Sequence, residues 1–145
     1  MIEKRWFFGR KLHLLTMPNG LMLSFRLSSG NVFDSRLFHS LVKDKCKMIT
    51  GDSAYRAKKP PKGTRTRITK PFAKRKKARN LHGKRVAIER VFGGLKKLGL
   101  EKGVILKHPA SQGSHILAVL TCLLAIQYLN LQEGLQPMTY GRFLM

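Results

Sequence analysis

The chain has 145 residues, of which 29 are Lys or Arg and only 7 are Asp or Glu, so its formal net charge is +22. Its hydrophobic fraction of 43% excludes a wholly disordered protein, because disordered chains lack the apolar surface that offsets the entropy of ordering. Two cysteines exclude a disulfide framework and a zinc cluster, and no apolar run reaches the ~18 residues of a membrane span. These features indicate one cytoplasmic domain, and its charge requires a polyanionic partner such as nucleic acid.

The N-terminal third of the sequence predicts a β-hairpin. Residues 21–28 alternate apolar and polar side chains, with Leu23 in the apolar row, which is typical of a half-buried strand. Residues 9–17 are the expected partner strand. The dipeptide Asn19-Gly20 joins the two strands and is expected to supply the positive φ angles that a tight hairpin turn needs.

A helix is predicted after the hairpin. Asp34 precedes an apolar stripe at helical spacing, formed by Leu37, Phe38, Leu41 and Val42. We expect Asp34 to cap this helix, because an aspartate oxygen at that position accepts a hydrogen bond from an otherwise unpaired backbone N–H.

The rest of the chain predicts two short strands and then two helices. They are expected at residues 46–50, 65–72, 85–98 and 111–130. The first of these strands ends in Gly51-Asp52. The order of hairpin, helix, two strands and two helices predicts an α/β fold. We expect one domain over residues 1–130, with residues 131–145 as a frayed tail because they show no clear periodicity.

The positive charge is concentrated between two acidic residues, Asp52 and Glu89. The 36 residues that separate them contain 14 Lys and Arg and no acid. Prolines in the first half of this segment predict extended or looped backbone there. Taken alone, such a charge run is typical of a solvated tail, but its position inside the chain and between two rare acids favours a nucleic-acid surface. The charge is densest at Lys74, Arg75, Lys76 and Lys77.

The two bracketing acids are candidates for chemistry. Asp52 follows a predicted strand, where active groups of α/β sheets collect, although a simple turn aspartate would fit too. Glu89 shares one stripe of its predicted helix with Arg85 and Lys96. An ordinary ion pair between Arg85 and Glu89 would also explain this placement, and such a pair stabilises a helix by only about 0.3–0.5 kcal/mol. A carboxylate near DNA repels it unless a divalent metal ion lies between them.

Four ordered motifs resemble the catalytic domain of bacterial insertion-sequence transposases of the DDE type. They are FGRKLHL at residues 8–14, LSSGNV with an aspartate at residues 27–34, TGDSAY at residues 50–55, and an arginine, glutamate and lysine spaced as Arg85, Glu89 and Lys96. The spacing of the last three is that of the family's glutamate helix. The resemblance covers residues 6–130.

The resemblance implies an RNase H-like mixed sheet flanked by helices. It also implies three carboxylates that bind two Mg²⁺ or Mn²⁺ ions, cut phosphodiester bonds at the ends of the mobile element and join the 3′-hydroxyl to target DNA. Asp52 would be the second aspartate and Glu89 the glutamate. The expected DNA-binding residues are Arg85, Lys96, Lys84, Arg90, Lys74, Arg75, Lys76 and Lys77.

The sequence departs from the family pattern in two places. His82 stands where the family often has a tyrosine, three residues before the arginine. The first catalytic aspartate lies on an opening strand well upstream of the KLH stretch in the family, and Glu3 is too close to belong to such a strand. We therefore expect an N-terminally truncated transposase, inactive alone, without its central first strand, whose partner is the missing N-terminal fragment or a second copy of the chain.

Two other interpretations remain open. A non-enzymatic basic nucleic-acid-binding protein, of ribosomal or nucleoid-associated type, would have the same size and charge, since counterion release needs only Lys and Arg. A partner-binding module built on residues 111–130 is weaker, because burial against the sheet would explain the apolar character of that helix. The leading interpretation places the protein in the cytoplasm at the nucleoid, with DNA as its partner and no membrane.

Overall fold

The structure is a computed structural model that describes residues 9–42, 48–55, 62–68 and 75–139. Its strands are β1 (Arg10–Thr16), β2 (Met22–Ser29), β3 (Met48–Gly51) and β4 (Arg65–Ile68), and its helices are α1 (Asp34–Leu41), α2 (Arg75–Lys97) and α3 (Pro109–Gln132). Short 3₁₀ segments lie at Ser53–Tyr55 and Leu100–Ile105. The predicted α/β class is confirmed, whereas residues 46–47 and 69–72 of the predicted strands lie outside the described residues.

β1 and β2 form the predicted antiparallel hairpin, but its turn differs in detail from the expected one. The Gly20 N–H donates to the Met17 carbonyl (2.9 Å) and the Met17 N–H donates to the Leu21 carbonyl (2.8 Å), so three residues form the loop. Gly20 has a φ of +90°, while Asn19 does not have a positive φ. The assignment of positive φ to both residues is therefore wrong, because a three-residue loop needs only one left-handed residue.

The two faces of the hairpin pack against different helices. Leu12, Leu14 and Phe25 face a core cluster built with α2 and α3. Leu15, on the alternate face, packs with α1. The pairing register shifts between Leu15 and Thr16, and beyond this bulge the predicted alternation fails. Met22 is buried and Leu23 is 51% exposed, because an extra residue in one strand redirects the side chains that follow it.

Helix α1 begins at Asp34, and the expected capping role of Asp34 is wrong. Phe33 occupies the N-cap position and no side chain caps the helix. The Asp34 carboxylate instead accepts a hydrogen bond from Lys11 Nζ at 3.1 Å. A half-buried ammonium group needs a counter-charge, so Lys11 takes the carboxylate that would otherwise accept a hydrogen bond from the helix N-terminus. Phe38 and Leu41 are buried as predicted.

The described strands form two separate two-stranded sheets. β3 and β4 pair in parallel, with Ile49 opposite Thr66, while β1 and β2 form the other sheet. The same helices hold both sheets together, since α2 packs against β1 and β3. Leu15 and Ile49, one from each sheet, also share a hydrophobic cluster with α1. The two sheets thus pack against the same helices, although no described strand joins them.

Helix α2 begins at Arg75, ten residues before the predicted start at residue 85. The basic run is therefore helical over its described residues, which corrects the predicted helix start. Lys and Arg are good helix formers, and no proline follows Pro71 until Pro109. Val91 and Leu95 are fully buried and fix the inner face of the helix.

Helix α3 buries one face and exposes the other. Leu120 and Leu123 are buried, whereas Leu124 is 42% and Tyr128 is 62% exposed. The buried Gln127 ties the helix to the hairpin turn, since its amide donates to the Gly20 carbonyl (2.9 Å) and its oxygen accepts from a backbone N–H of β2 (3.1 Å). By length and composition α3 is able to span a membrane, which is weak evidence because core helices pass the same test.

The chain folds back after α3. The Leu135 N–H donates to the Asn130 carbonyl (2.7 Å), and the Asn130 side-chain amide donates to the carbonyls of Pro137 (3.2 Å) and Thr139 (2.9 Å). Met138 packs against the core cluster of α2 and α3. Residues 140–145, the rest of the predicted tail, lie outside the described residues.

Candidate active site

Asp52 lies directly after β3, at the strand end where it was predicted. Its side chain is exposed, and its backbone carbonyl accepts a hydrogen bond from the Tyr55 N–H at 3.0 Å. This bond closes the 3₁₀ turn Ser53–Tyr55. A four-residue strand followed by a tight turn therefore carries the carboxylate.

A buried histidine from the hairpin contacts this turn. His13 is 2% exposed. Its Nδ1 lies 2.7 Å from the Tyr55 hydroxyl and its Nε2 lies 3.0 Å from the Ser28 hydroxyl. The His13 and Tyr55 rings meet edge to face, with centroids 5.8 Å apart. Both ring nitrogens are thus hydrogen-bonded, one within the hairpin and one to the turn that follows Asp52.

A charged pair lies beside this histidine. Lys11 Nζ donates to Asp34 Oδ1 and to the Val32 carbonyl, each at 3.1 Å. Lys11 and His13 project from the same face of β1, because side chains two apart in a strand share a face. The structure thereby brings together Lys11, His13, Ser28, Asp34 and Tyr55, which we call the motif cluster.

The motif cluster was missed as a site by the sequence analysis, although its residues come from three of the four motifs. His13 and Tyr55 are 42 positions apart, so no local periodicity connects them. The sequence did contain one signal of this site. Lys11 and His13 are polar residues at alternate positions of β1, on a strand predicted to be half-buried. Polar side chains on a buried face need partners, and these partners come from distant motifs.

Burial keeps the two rings of the cluster uncharged. It raises the pKa of Tyr55 to about 12, and the nearby carboxylates of Asp34 and Asp52 add to this rise. Burial likewise lowers the pKa of His13, and the charge of Lys11 lowers it further while Asp34 opposes both. At neutral pH the His13–Tyr55 contact is therefore a hydrogen bond between neutral groups.

The lowered pKa of His13 predicts a loss of stability in mild acid. A group whose pKa is lower in the folded protein contributes stability above its ordinary value of 6.5, and this stability is lost as the pH falls through the folded value. We expect thermal midpoints to fall between pH 7.5 and pH 5.5, and the fall to be smaller in His13→Asn than in the parent. The exposed His39 provides the control His39→Gln. An equal fall in His13→Asn and the parent would contradict this assignment.

The second candidate carboxylate lies on α2. Glu89 is exposed, as is the neighbouring Arg90. Arg90 lines a shallow depression of about 410 Å³ beside the hairpin turn, with Gly20 and Met138 among the other lining residues. Because α2 packs against β3, the helix that carries Glu89 lies against the strand that precedes Asp52.

Seven of the eight predicted DNA-binding residues lie in α2, and one of them has an unexpected partner. Lys96 Nζ forms an ion pair with Glu101 Oε1 at 2.7 Å, and both side chains are more than half exposed. An exposed pair is worth about 0–1 kcal/mol, so a DNA phosphate is able to replace Glu101. The backbones of Arg75, Lys76, Lys77, Lys84 and Arg85 lie in α2, and Lys74 lies outside the described residues.

The donor chemistry of the two carboxylates suits Mg²⁺ or Mn²⁺, which prefer carboxylate oxygens. A complete ion site is not assembled from this chain within residues 9–42, 48–55, 62–68 and 75–139. No three acidic, histidine or cysteine side chains of that part are grouped closely enough to hold a metal ion. Asp52 and Glu89 are of a suitable chemical type to hold such an ion, which would need further donors besides them.

Comparisons with known proteins agree with the motif resemblance. Residues 2–124 match the family model described as the transposase DDE domain. The matched region includes Asp52, Glu89, Lys96 and the whole motif cluster. No curated protein and no solved structure matches the chain. Since the family model covers most of the 145 residues, the chain belongs to the transposase DDE domain family.

Proposed function

We propose that this chain binds DNA and supplies two carboxylates, Asp52 and Glu89, to metal-dependent phosphodiester cleavage and strand transfer during transposition of an insertion sequence. The observation that carries the proposal is the packing of α2 against β3, since Glu89 lies on α2 and Asp52 directly follows β3. The basic residues between them along the chain provide the surface that holds DNA. Such a protein is expected at the nucleoid in the cytoplasm.

The proposed chemistry divides between the carboxylates and the cations. Asp52 and Glu89 would hold Mg²⁺ or Mn²⁺, which would supply activation of a water molecule or 3′-hydroxyl and stabilisation of the leaving oxygen. Arg85 and Lys96 bind phosphates beside the cleaved bond and orient the strand. The carboxylates also need this ion to approach DNA without repulsion.

We also propose that one extended strand of a partner completes the site. The Gly30 N–H donates to the Gly9 carbonyl at 2.7 Å, and hydrogen-bonded pairs alternate along an antiparallel ladder. The peptide groups of Leu12 and Leu14 therefore point away from β2, towards an edge where no other described strand pairs and where an added strand would bind. An N-terminal transposase fragment or a second copy of the chain would supply the strand, together with the third carboxylate, and the chain alone would cleave weakly or not at all.

The proposal is tested by Asp52→Asn and Glu89→Gln. We expect both variants to lose Mn²⁺ binding, measured as free Mn²⁺ by electron paramagnetic resonance, and any Mn²⁺-dependent plasmid nicking. Their DNA affinity should stay the same or rise, because each change removes a negative charge. Glu133→Gln, which removes an exposed carboxylate at the end of α3, is the matched control. Parent-like Mn²⁺ binding and nicking by both site variants would show that these residues are the wrong ones.

A non-enzymatic DNA-binding protein is the second candidate function. It is favoured by the lack of a three-donor group among the described residues and by the charge of +22. The same variants distinguish the two candidates. A pure binder would bind DNA with high affinity, and neither Asp52→Asn nor Glu89→Gln would change its Mn²⁺ binding.

A further inference from the structure

We infer that His13 is a positioning residue that holds the turn after Asp52 against the hairpin, with Tyr55 as the group through which it acts. The inference rests on the proposed function to the extent that Asp52 is a metal ligand. His13 and Tyr55 have no part in the proposed binding of metal or phosphate. Their hydrogen bond joins a segment of β1 to the segment that follows β3.

The turn that carries Asp52 needs support from outside its own sheet. β3 has four residues and pairs with β4, which also has four. Two-stranded sheets are marginally stable by themselves. Asp52 follows the exposed end of this short pair, so the position of its backbone depends on what holds the 3₁₀ turn Ser53–Tyr55 in place.

His13 is a rigid anchor for that purpose. It lies in the middle of β1, opposite Arg26 in the paired hairpin, and is almost fully buried. The Ser28 hydroxyl on β2 engages Nε2 at 3.0 Å and fixes the rotation of the ring. The remaining nitrogen, Nδ1, is then directed at the Tyr55 hydroxyl, 2.7 Å away.

The contact crosses between sheets that share no described strand pairing. Leu15 and Tyr55 both pack against the buried cluster that contains Ile49, but apolar packing has no preferred direction. A hydrogen bond has a defined length and angle, so the His13–Tyr55 bond fixes the register of the turn against the hairpin. The Tyr55 N–H bond to the Asp52 carbonyl, at 3.0 Å, transmits this register to Asp52.

Hydrogen exchange of the full chain tests the inference directly. Tyr55→Phe keeps the ring and removes the hydroxyl, which leaves a buried histidine nitrogen without its partner. We expect backbone amides of residues 48–55 to exchange about tenfold faster, with little change in residues 10–29 and 109–132. Tyr128→Phe removes the same atom from an exposed tyrosine and should change nothing. Parent-like exchange at residues 48–55 in Tyr55→Phe, or an equal increase throughout the chain, would overturn the inference.

A second variant separates positioning from general packing. The amide of His13→Asn reaches the place of Nδ1, so we expect it to retain most of the protection at residues 48–55. His13→Leu fills the space without hydrogen bonds and should lose this protection as Tyr55→Phe does. Equal protection in His13→Asn and His13→Leu would assign His13 to packing alone. Because both variants are compared with Tyr55→Phe, the result does not depend on one substitution folding well.

Mn²⁺ binding distinguishes a failure of this inference from a failure of the proposed function. We expect Tyr55→Phe to weaken Mn²⁺ binding severalfold and to leave DNA affinity unchanged. Parent-like Mn²⁺ binding in Tyr55→Phe, combined with a loss in Asp52→Asn, would overturn the positioning role and leave the proposed function intact. Parent-like binding in Asp52→Asn would overturn the proposed function and with it the positioning of a metal ligand.

Discussion

The DNA affinity of this chain is expected to fall by a factor of about 10⁴ when the salt concentration rises from 50 to 200 mM. Neutralising each phosphate releases counterions, and the slope of log K against log salt is about −0.9 per contact. If all eight predicted cations of the basic surface contact phosphates, the slope is about −7. Fluorescence anisotropy with labelled duplexes measures it. Duplexes of unrelated sequence should give the same slope and similar affinities, because phosphate contacts carry no sequence information.

Single substitutions then locate the contacts on α2. Removing one phosphate contact should make the slope less steep by about 1, and we expect this result for Arg90→Gln. Lys107→Gln is the matched control, since it also removes one exposed cation but lies outside α2. The order of the two variants is decisive. If Lys107→Gln makes the slope less steep than Arg90→Gln does, or if the slope of the parent is near −2, α2 is not the DNA-binding surface.

Much of this fold follows from local patterns in the sequence. The hairpin has a period-two signal, α3 has a long apolar signal and the short strand before Asp52 ends in Gly51-Asp52, and each was predicted at its place. The first ten residues of α2 were missed because they contain no apolar stripe, and periodicity was the only signal used. Helix propensity of Lys and Arg carries that segment instead. Met22 and Leu23 were assigned to the wrong faces, because a bulge is not visible in the alternation.

The candidate site was predictable only in part, because its contacts are non-local. The position of Asp52 follows from its strand, but the His13–Tyr55 bond joins residues 42 apart. Asp34 illustrates the same difficulty: local rules predict a cap, whereas Lys11 from β1 takes the carboxylate as its partner. Lys96 was expected to bind phosphate, and its pairing with Glu101 depends on the turn between α2 and the next segment. Local sequence rules cannot weigh such competitors.

Leu123→Ala is expected to lower the free energy of unfolding by about 3–4 kcal/mol, within the 2–5 kcal/mol typical of buried leucines. Leu123 is fully buried in the cluster that joins α3 to α2 and the hairpin. Its neighbour Leu124 is 42% exposed, so Leu124→Ala should cost less than about 1 kcal/mol. Denaturant unfolding measures both, with equal m values required for the comparison.

The pair of leucines also decides what kind of helix α3 is. In a soluble core helix, one face carries the stability, and the two substitutions must differ by several-fold in cost. In a membrane-spanning helix, lipid surrounds both positions, and the change from Leu to Ala would have similar effects at each because lipid tails are as apolar as leucine. Equal costs for Leu123→Ala and Leu124→Ala would therefore contradict the packing of α3 on α2. A cost confined to Leu123 would show that α3, although long and apolar enough to span a membrane, is a core helix of the transposase DDE domain.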